Sequence, residues 1–173
     1  DGSLRRDAQI TNVGSITHRD SSPRVTSDGR KLLFVRFINR EGPQLMVSQV
    51  DGRDLTQLPA GSGIWSSPAW SRDGAKIAAL QGTTATSPAV PGAYVMNSDG
   101  ADARLLIGTS SDDGPFVFSP DGSEIAHARL IRSGAFQHRD IFRRSSSAKG
   151  ASRPFIVSPG MSEIPLQWFV LPG

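Results

Sequence analysis

Three histidines, His18, His127 and His138, are the side chains in this sequence best suited to carrying protons near neutral pH. Their spacing from Ser and Asp favours no nucleophilic triad. Gly-x-Ser-x-Gly, His-Glu-x-x-His, phosphate-cradling glycine loops and Gly-x-Gly-x-x-Gly are all missing. Cysteine is absent, which removes thiolate nucleophiles, zinc-thiolate sites and disulfides. Acids gather near turns, as in Asn97-x-Asp99-Gly100-x-Asp102 and Asp112-Asp113-Gly114, but a calcium loop needs about six to eight oxygens and a bidentate Glu at its end, and no Glu is so placed. These acids read as hairpin turns, and no catalytic group, metal or cofactor is assigned.

What the remaining polar residues can do is bind. Residues 127–154 hold seven basic groups, Arg129, Arg132, Arg139, Arg143, Arg144, Lys149 and Arg153, against Asp140 alone, in a chain of net charge +3. Such a segment can steer an acidic protein, an anionic polysaccharide or a nucleic acid, with Arg139, Arg143, Arg144 and Lys149 as the contacts. Its aromatics are limited to Phe136 and Phe142 and it contains no nucleic-acid module, so nucleic acid is disfavoured. A solvated loop with incidental charge is the plainer reading. Trp65 follows the glycine-rich Gly61-Ser62-Gly63-Ile64 and is the tryptophan expected to make an exposed contact.

The elements that must position these residues come from an internal repeat. Ser22-Pro23-Arg24-Val25-Thr26-Ser27-Asp28-Gly29 recurs as Ser67-Pro68-Ala69-Trp70-Ser71-Arg72-Asp73-Gly74 and as Gly114-Pro115-Phe116-Val117-Phe118-Ser119-Pro120-Asp121-Gly122, with the Asp-Gly pairs 45 and 48 residues apart. An apolar run follows each pair: Leu32 to Val35, Ile77 to Leu80, Ile125 to Ala128. A second motif closes on Asp51-Gly52 and on Asp99-Gly100, again 48 residues apart; in the third unit Ser145-Ser146-Ser147-Ala148-Lys149-Gly150 takes its place. Asp-Gly between apolar runs predicts tight two-residue hairpin turns, because Gly adopts positive φ without steric cost. Each unit therefore reads as four short antiparallel strands. The second strands are apolar on consecutive residues, as expected where both faces of a sheet are covered.

Pro-x-aromatic-Ser-Pro-Asp-Gly, then an Ile-Ala strand, then Tyr-Val-Met-Asn-x-Asp-Gly-x-x-x-Arg-Leu-Leu, resembles the WD40-like (PD40) repeat of TolB-type β-propellers. The best copies run from Pro115 to Ala126 and from Ala93 to Leu106. Ser27 and Arg72 stand where that repeat usually has Pro. The resemblance implies an all-β fold: a single partial propeller over residues 1–173, with three complete four-stranded blades at about 18–60, 64–108 and 112–157. Partial units are expected at 1–17 and 160–173, each contributing one stray strand. It further implies a non-catalytic scaffold that holds a protein or peptide, in a bacterial, extracytoplasmic setting, periplasmic or extracellular. The alternatives are a propeller accessory to a hydrolase or lyase, and a binder of acidic polymers. Propellers close with about four to eight blades. A longer propeller containing this chain is therefore expected, ahead of two copies that complete one ring by self-association.

Counting from each repeated Asp places equivalent residues in columns. Six residues on stand Phe34, Ala79 and His127, so His127 is expected to pack between blades with its nitrogens satisfied; His138, beside Arg139 in a polar stretch, is expected on the surface. Eight residues on stand Arg36, Gln81 and Arg129, long polar groups at the ends of second strands. They ring a candidate binding surface or are solvated strand ends. Trp70, Phe118 and Trp168 share an inner-strand column expected to pack blade on blade. At 173 residues the chain is long enough for one domain with a core, and no run approaches the roughly 18 apolar residues of a membrane span.

Overall fold

A computed structural model describes residues 18–39, 41–61, 63–83, 90–108, 114–133 and 136–157. They form twelve strands in three antiparallel sheets, each built in chain order. Sheet 1 is β1 (His18–Val25), β2 (Lys31–Ile38), β3 (Gly42–Gln49) and β4 (Thr56–Gln57). Sheet 2 is β5 (Ile64–Trp70), β6 (Lys76–Gly82), β7 (Gly92–Asn97) and β8 (Arg104–Gly108), and sheet 3 is β9 (Phe116–Phe118), β10 (Glu124–Ser133), β11 (Phe136–Ser145) and β12 (Arg153–Ile156). The partial units expected at 1–17 and 160–173, Trp168 among them, lie outside the described residues. Among the described residues no helix is long and apolar enough to cross a membrane.

The repeated Asp builds the same turn three times. Thr26, Ser71 and Ser119 each donate a hydroxyl hydrogen bond to Asp28, Asp73 and Asp121 (2.5, 2.6 and 2.5 Å) and accept one from the backbone N–H five residues on (3.0, 2.9 and 2.9 Å). The same carboxylates accept the N–H of Arg30, Ala75 and Ser123. These bonds to the charged form lower all three Asp pKa values, the hydroxyl bond being the largest cause in each. The two-residue turn expected from Asp-Gly is corrected here. Thr26 N–H bonds Lys31 O across a four-residue loop, and Gly29 N–H returns to Thr26 O, with φ +71° at Gly29 alone of the pair. The hydroxyl two residues before Asp fills the extra length that a two-residue turn lacks.

Burial on consecutive residues follows from sheet stacking. Leu33, Val35 and Leu45 of sheet 1 pack with Trp65, Ile77, Ala79 and Met96 of sheet 2. The other face of sheet 2, with Ala78, Leu80, Ala93 and Val95, packs with Phe116, Phe118 and Ile125 of sheet 3. At about 1.5–3 kcal/mol per buried large apolar side chain, these two interfaces are the main source of stability. Trp70 joins the first, its indole N–H donating to Arg24 O of β1 across the interface at 3.1 Å.

The inner strands of sheets 1 and 2 are bulged at the residue before their proline. Ser22, Ser67 and Gly114 have φ of +54°, +51° and +112°, and the register of β1 and β5 slips there, between Ser21 and Arg24 and between Ser66 and Ala69. Proline has no N–H to give the ladder, so the extra residue is absorbed as a bulge. The third outer hairpin forms despite its missing Asp-Gly. Ala148, at φ +62°, takes the left-handed place held by Gly52 and Gly100, and Ser146 ties the turn to Gly122 O at 2.7 Å.

Candidate functional site at the rim opposite the Asp-Gly turns

The second strands run from the Asp-Gly turns toward the opposite rim, where the eighth residue after each Asp ends the buried stretch. Arg36 is 9% exposed and Gln81 4%, so neither is a solvated strand end; Arg129 is half-buried. Arg36 is held by a fork from Asp20, its partner across β1 and β2: Nε donates to Oδ1 at 2.7 Å and an Nη to Oδ2 at 2.8 Å. Those bonds raise the pKa of Arg36 above its ordinary value. Its guanidinium also lies 5.4 Å from the Phe34 ring centroid.

Gln81 pairs with Trp65 across β5 and β6. Its amide lies against Gly63, where an added Cβ would stand 2.7 Å from Nε2, so the bare backbone at Gly63 makes the space this side chain occupies. Gln44, opposite Arg36, donates to Glu41 O at 3.0 Å and leans toward Gly63 O at 3.5 Å. Sheets 1 and 2 are thereby joined at the rim by amides.

In sheet 3 the Arg129 guanidinium stacks 4.5 Å from the centroid of Phe142. Across the ladder from Arg129 is Asp140, which is buried; Oδ2 is 3.5 Å from Nε2 of His138, and Oδ1 has no hydrogen-bond partner among the described residues. His138 is therefore half-buried against a carboxylate, not the surface residue expected. His127 lies two pairs further in, fully buried between Phe116 and Phe142, with ring centroids 6.4 and 6.1 Å away. Burial first, and then the charge of Arg129, push its pKa down to about 4. Nε2 meets Ser152 Oγ at 3.4 Å, whereas Nδ1 has no partner among the described residues, so of the two nitrogens expected to be satisfied only Nε2 is paired there.

Trp65 corrects the expectation of an exposed contact. It is 1% exposed, packs edge-on to Tyr94 at 5.8 Å and donates its N–H to Gly61 O. Pairing with β6 draws it inward, which the glycines before it conceal. The basic segment is largely engaged within the fold. Arg144 donates to Leu106 O of sheet 2 and to Ala148 O and Gly150 O, and Arg143 and Arg153 share Glu124. Among the described residues, Arg139 and Lys149 alone of the seven lack such a contact. Asp20 and Asp140 are rim residues that sequence reasoning missed; for Asp20 the available signal was its position three residues before Pro23, opposite a buried Arg.

Side-by-side four-stranded sheets with a shared inner-to-outer order are matched in solved structures. A putative TolB from Agrobacterium tumefaciens aligns at TM-score 0.59 and 22% identity, over 83% of this chain and 47% of that one. The three sheets are blades of a β-propeller. The propeller domain of the Trilobed protease from Pyrococcus furiosus aligns at TM-score 0.58 and 13% identity, over 79% of this chain and 43% of its own. An oligogalacturonate lyase from Vibrio parahaemolyticus aligns at 0.59 and 13%, over 84% and 44%. The chain thus spans less than half the length of each. No family model and no curated protein matches it. At these identities the likeness establishes the fold of the propeller and leaves its activity to the site.

Proposed function

We propose that this propeller is a non-catalytic scaffold that holds a protein or peptide at the rim formed by Arg36, Gln81 and Arg129. The observation that carries the reading is the column itself: three blades in succession place a long polar side chain where the buried strand ends, and two are fixed, by Asp20 and by Phe142. Side chains fixed in advance lose little entropy when a partner arrives, which favours affinity. The setting proposed is extracytoplasmic, periplasmic or extracellular, in a bacterial cell envelope, supported by the resemblance to TolB-type repeats. Further blades, from a longer polypeptide or a second copy, complete the ring; solution mass separates a monomer from a compact dimer.

A photo-crosslinking residue at position 36 or 129, compared with one at Arg72 beside the Asp-Gly turn, tests the rim in envelope extract. Discrete adducts from the rim positions alone support the proposal, and equal labelling from both ends of the blades contradicts it. The second reading, a propeller accessory to a hydrolase or lyase, is favoured by the lyase alignment. Cleavage of oligogalacturonate or of peptides by the purified chain, together with any covalently attached domain, decides for it. An acidic-polymer site that includes Arg144 is disfavoured by the three carbonyls that Arg144 already holds.

A further inference from the structure

The Asp-Gly end of the blades repeats closely until it reaches the cleft between sheets 2 and 3. Asp51 and Asp99 stand in the second hairpin turns of the first two blades; in the third, the matching backbone bond from Ala148 N–H to Ser145 O puts Ser147 in that place. Thr56 at the start of β4 is answered by Arg104 at the start of β8. One blade has gained a cation, the next has lost an acid, and both changes line the same cleft. Its two walls are sheets 2 and 3 themselves, so blades added before sheet 1 or after sheet 3 stack elsewhere.

The cleft holds about 170 Å³ and is lined by Lys76, Asn97, Asp102, Arg104 and Ser147, with Val95 of the apolar interface as its apolar wall. Its charges are unbalanced. Lys76 Nζ meets Ser146 Oγ at 3.5 Å and no carboxylate among the described residues. Asp73, on which its charge acts weakly, is already held by the Ser71 hydroxyl and the Ala75 N–H. Arg104 pairs loosely with Asp102 at 3.7 Å, both side chains being 63% exposed, and the Asn97 amide reaches the same oxygen at 3.4 Å. Two cations, an amide and a hydroxyl thus share one carboxylate.

We propose that this cleft binds a small phosphate monoester, its oxygens taken by Lys76, Arg104, Asn97 and Ser147 and its organic group laid against Val95. Lys76 starts β6 and Gln81 lies near its other end, so the site is at the opposite end of the blade from the rim and does not rest on the rim reading. Hydrogen bonds from charged donors to an oxyanion are the strong ones, and Arg and Lys are the side chains that recognise phosphate. A phosphate fits better than a carboxylate because the donors come from four residues on both walls, and two oxygens cannot serve four donors. The volume points the same way, since a cavity of about 150 Å³ admits a molecule the size of benzene.

Amide NMR titrations with inorganic phosphate, phenyl phosphate and acetate at equal ionic strength test the proposal. Inorganic phosphate shifts the amides of Asn97, Arg104 and Ser147 along saturating curves, phenyl phosphate binds several-fold tighter and acetate several-fold weaker. The Kd of phenyl phosphate rises about fivefold or more in Lys76→Met and in Arg104→Thr, the second of which restores the residue of sheet 1. Ser147→Asp, which restores the acid of the first two blades, abolishes binding while the rest of the spectrum stays in place. Asp102→Asn removes the competing carboxylate and tightens binding several-fold, a gain that misfolding cannot produce; Asn tolerates the φ of +54° at that position. Arg30→Ala, a cation at the same end of sheet 1, leaves affinity unchanged. Shifts that grow in proportion to added phosphate without saturating, acetate binding as tightly, no gain from the phenyl group, or a Kd unmoved in the Lys76, Arg104 and Asp102 variants each overturns the proposal. Such a failure leaves the rim crosslinking result standing on its own.

Discussion

Arg36 and Asp20 meet across β1 and β2 in a forked ion pair whose side chains are 11% and 17% exposed, at the one place in sheet 1 where the buried run of β2 ends in a charge. A pair this deep contributes little over an apolar replacement, yet it is expensive to break on one side, because the surviving charge stays buried.

Asp20→Ala is therefore expected to destabilise the chain by about 2–4 kcal/mol. Asp20→Ala combined with Arg36→Met recovers most of that loss. A double-mutant cycle by urea unfolding measures the coupling. A double-variant loss equal to the sum of the two single losses would show that the pair is not coupled.

His127 makes stability depend on pH. Its folded pKa of about 4 lies below the ordinary value of 6.5, so between these values the unfolded chain binds a proton that the folded chain refuses. The stability is fully present above pH 6.5 and falls as pH drops toward 4, by roughly 3 kcal/mol in all at about 1.4 kcal/mol per pH unit. His127→Phe, which installs the residue that sheet 1 carries in this column, is expected to remove that part of the slope. Unfolding midpoints of the two proteins at pH 7 and pH 4.5 check this; parallel slopes would refute it.

Ser119 holds the carboxyl of Asp121 down to about 2, with Ser123 adding a second hydroxyl bond. A depressed carboxyl stabilises the fold above its ordinary pKa of 3.8, and that contribution is lost as pH falls through about 2. In Ser119→Ala the pKa of Asp121 is expected to move up toward 3.8, followed by the carboxyl carbon shift in NMR. A value still near 2 would assign the effect to Ser123 and the backbone instead.

Ala148 sits at φ +62° where the other two blades have glycine. A left-handed alanine costs about 1–2 kcal/mol, and glycine gives back part of this through the entropy of the unfolded chain. Ala148→Gly is expected to raise stability by about 0.5–1 kcal/mol, read from the thermal unfolding midpoint. A lower midpoint would show that the turn does not need the left-handed residue.

The blade pattern was legible because two signals repeat in phase, Asp-Gly and the apolar run four residues after it, and repetition sets Asp28, Asp73 and Asp121 in like surroundings. Pairing across strands was less legible. Asp20 and Arg36 are sixteen residues apart, and only the register of β1 on β2, shifted by the bulge at Ser22, brings them together. Trp65 was misread for the same reason, since its glycine-rich approach suggests surface while its pairing with Gln81 places it in the core. Arg144 shows the limit of reading charge from composition. Seven basic residues in one segment look like a patch until the fold aims one of them at the carbonyl of Leu106 in the neighbouring blade.

The central claim is that successive repeats stack face to face as neighbouring blades. Trp70 tests it most directly, because its indole N–H donates to Arg24 O of the adjacent sheet, 46 residues away. An isotope-edited NOE spectrum is expected to show cross-peaks from the Trp70 indole proton to Arg24 and Val25. An indole proton with NOEs confined to its own sheet would contradict the stacking and the rim that depends on it.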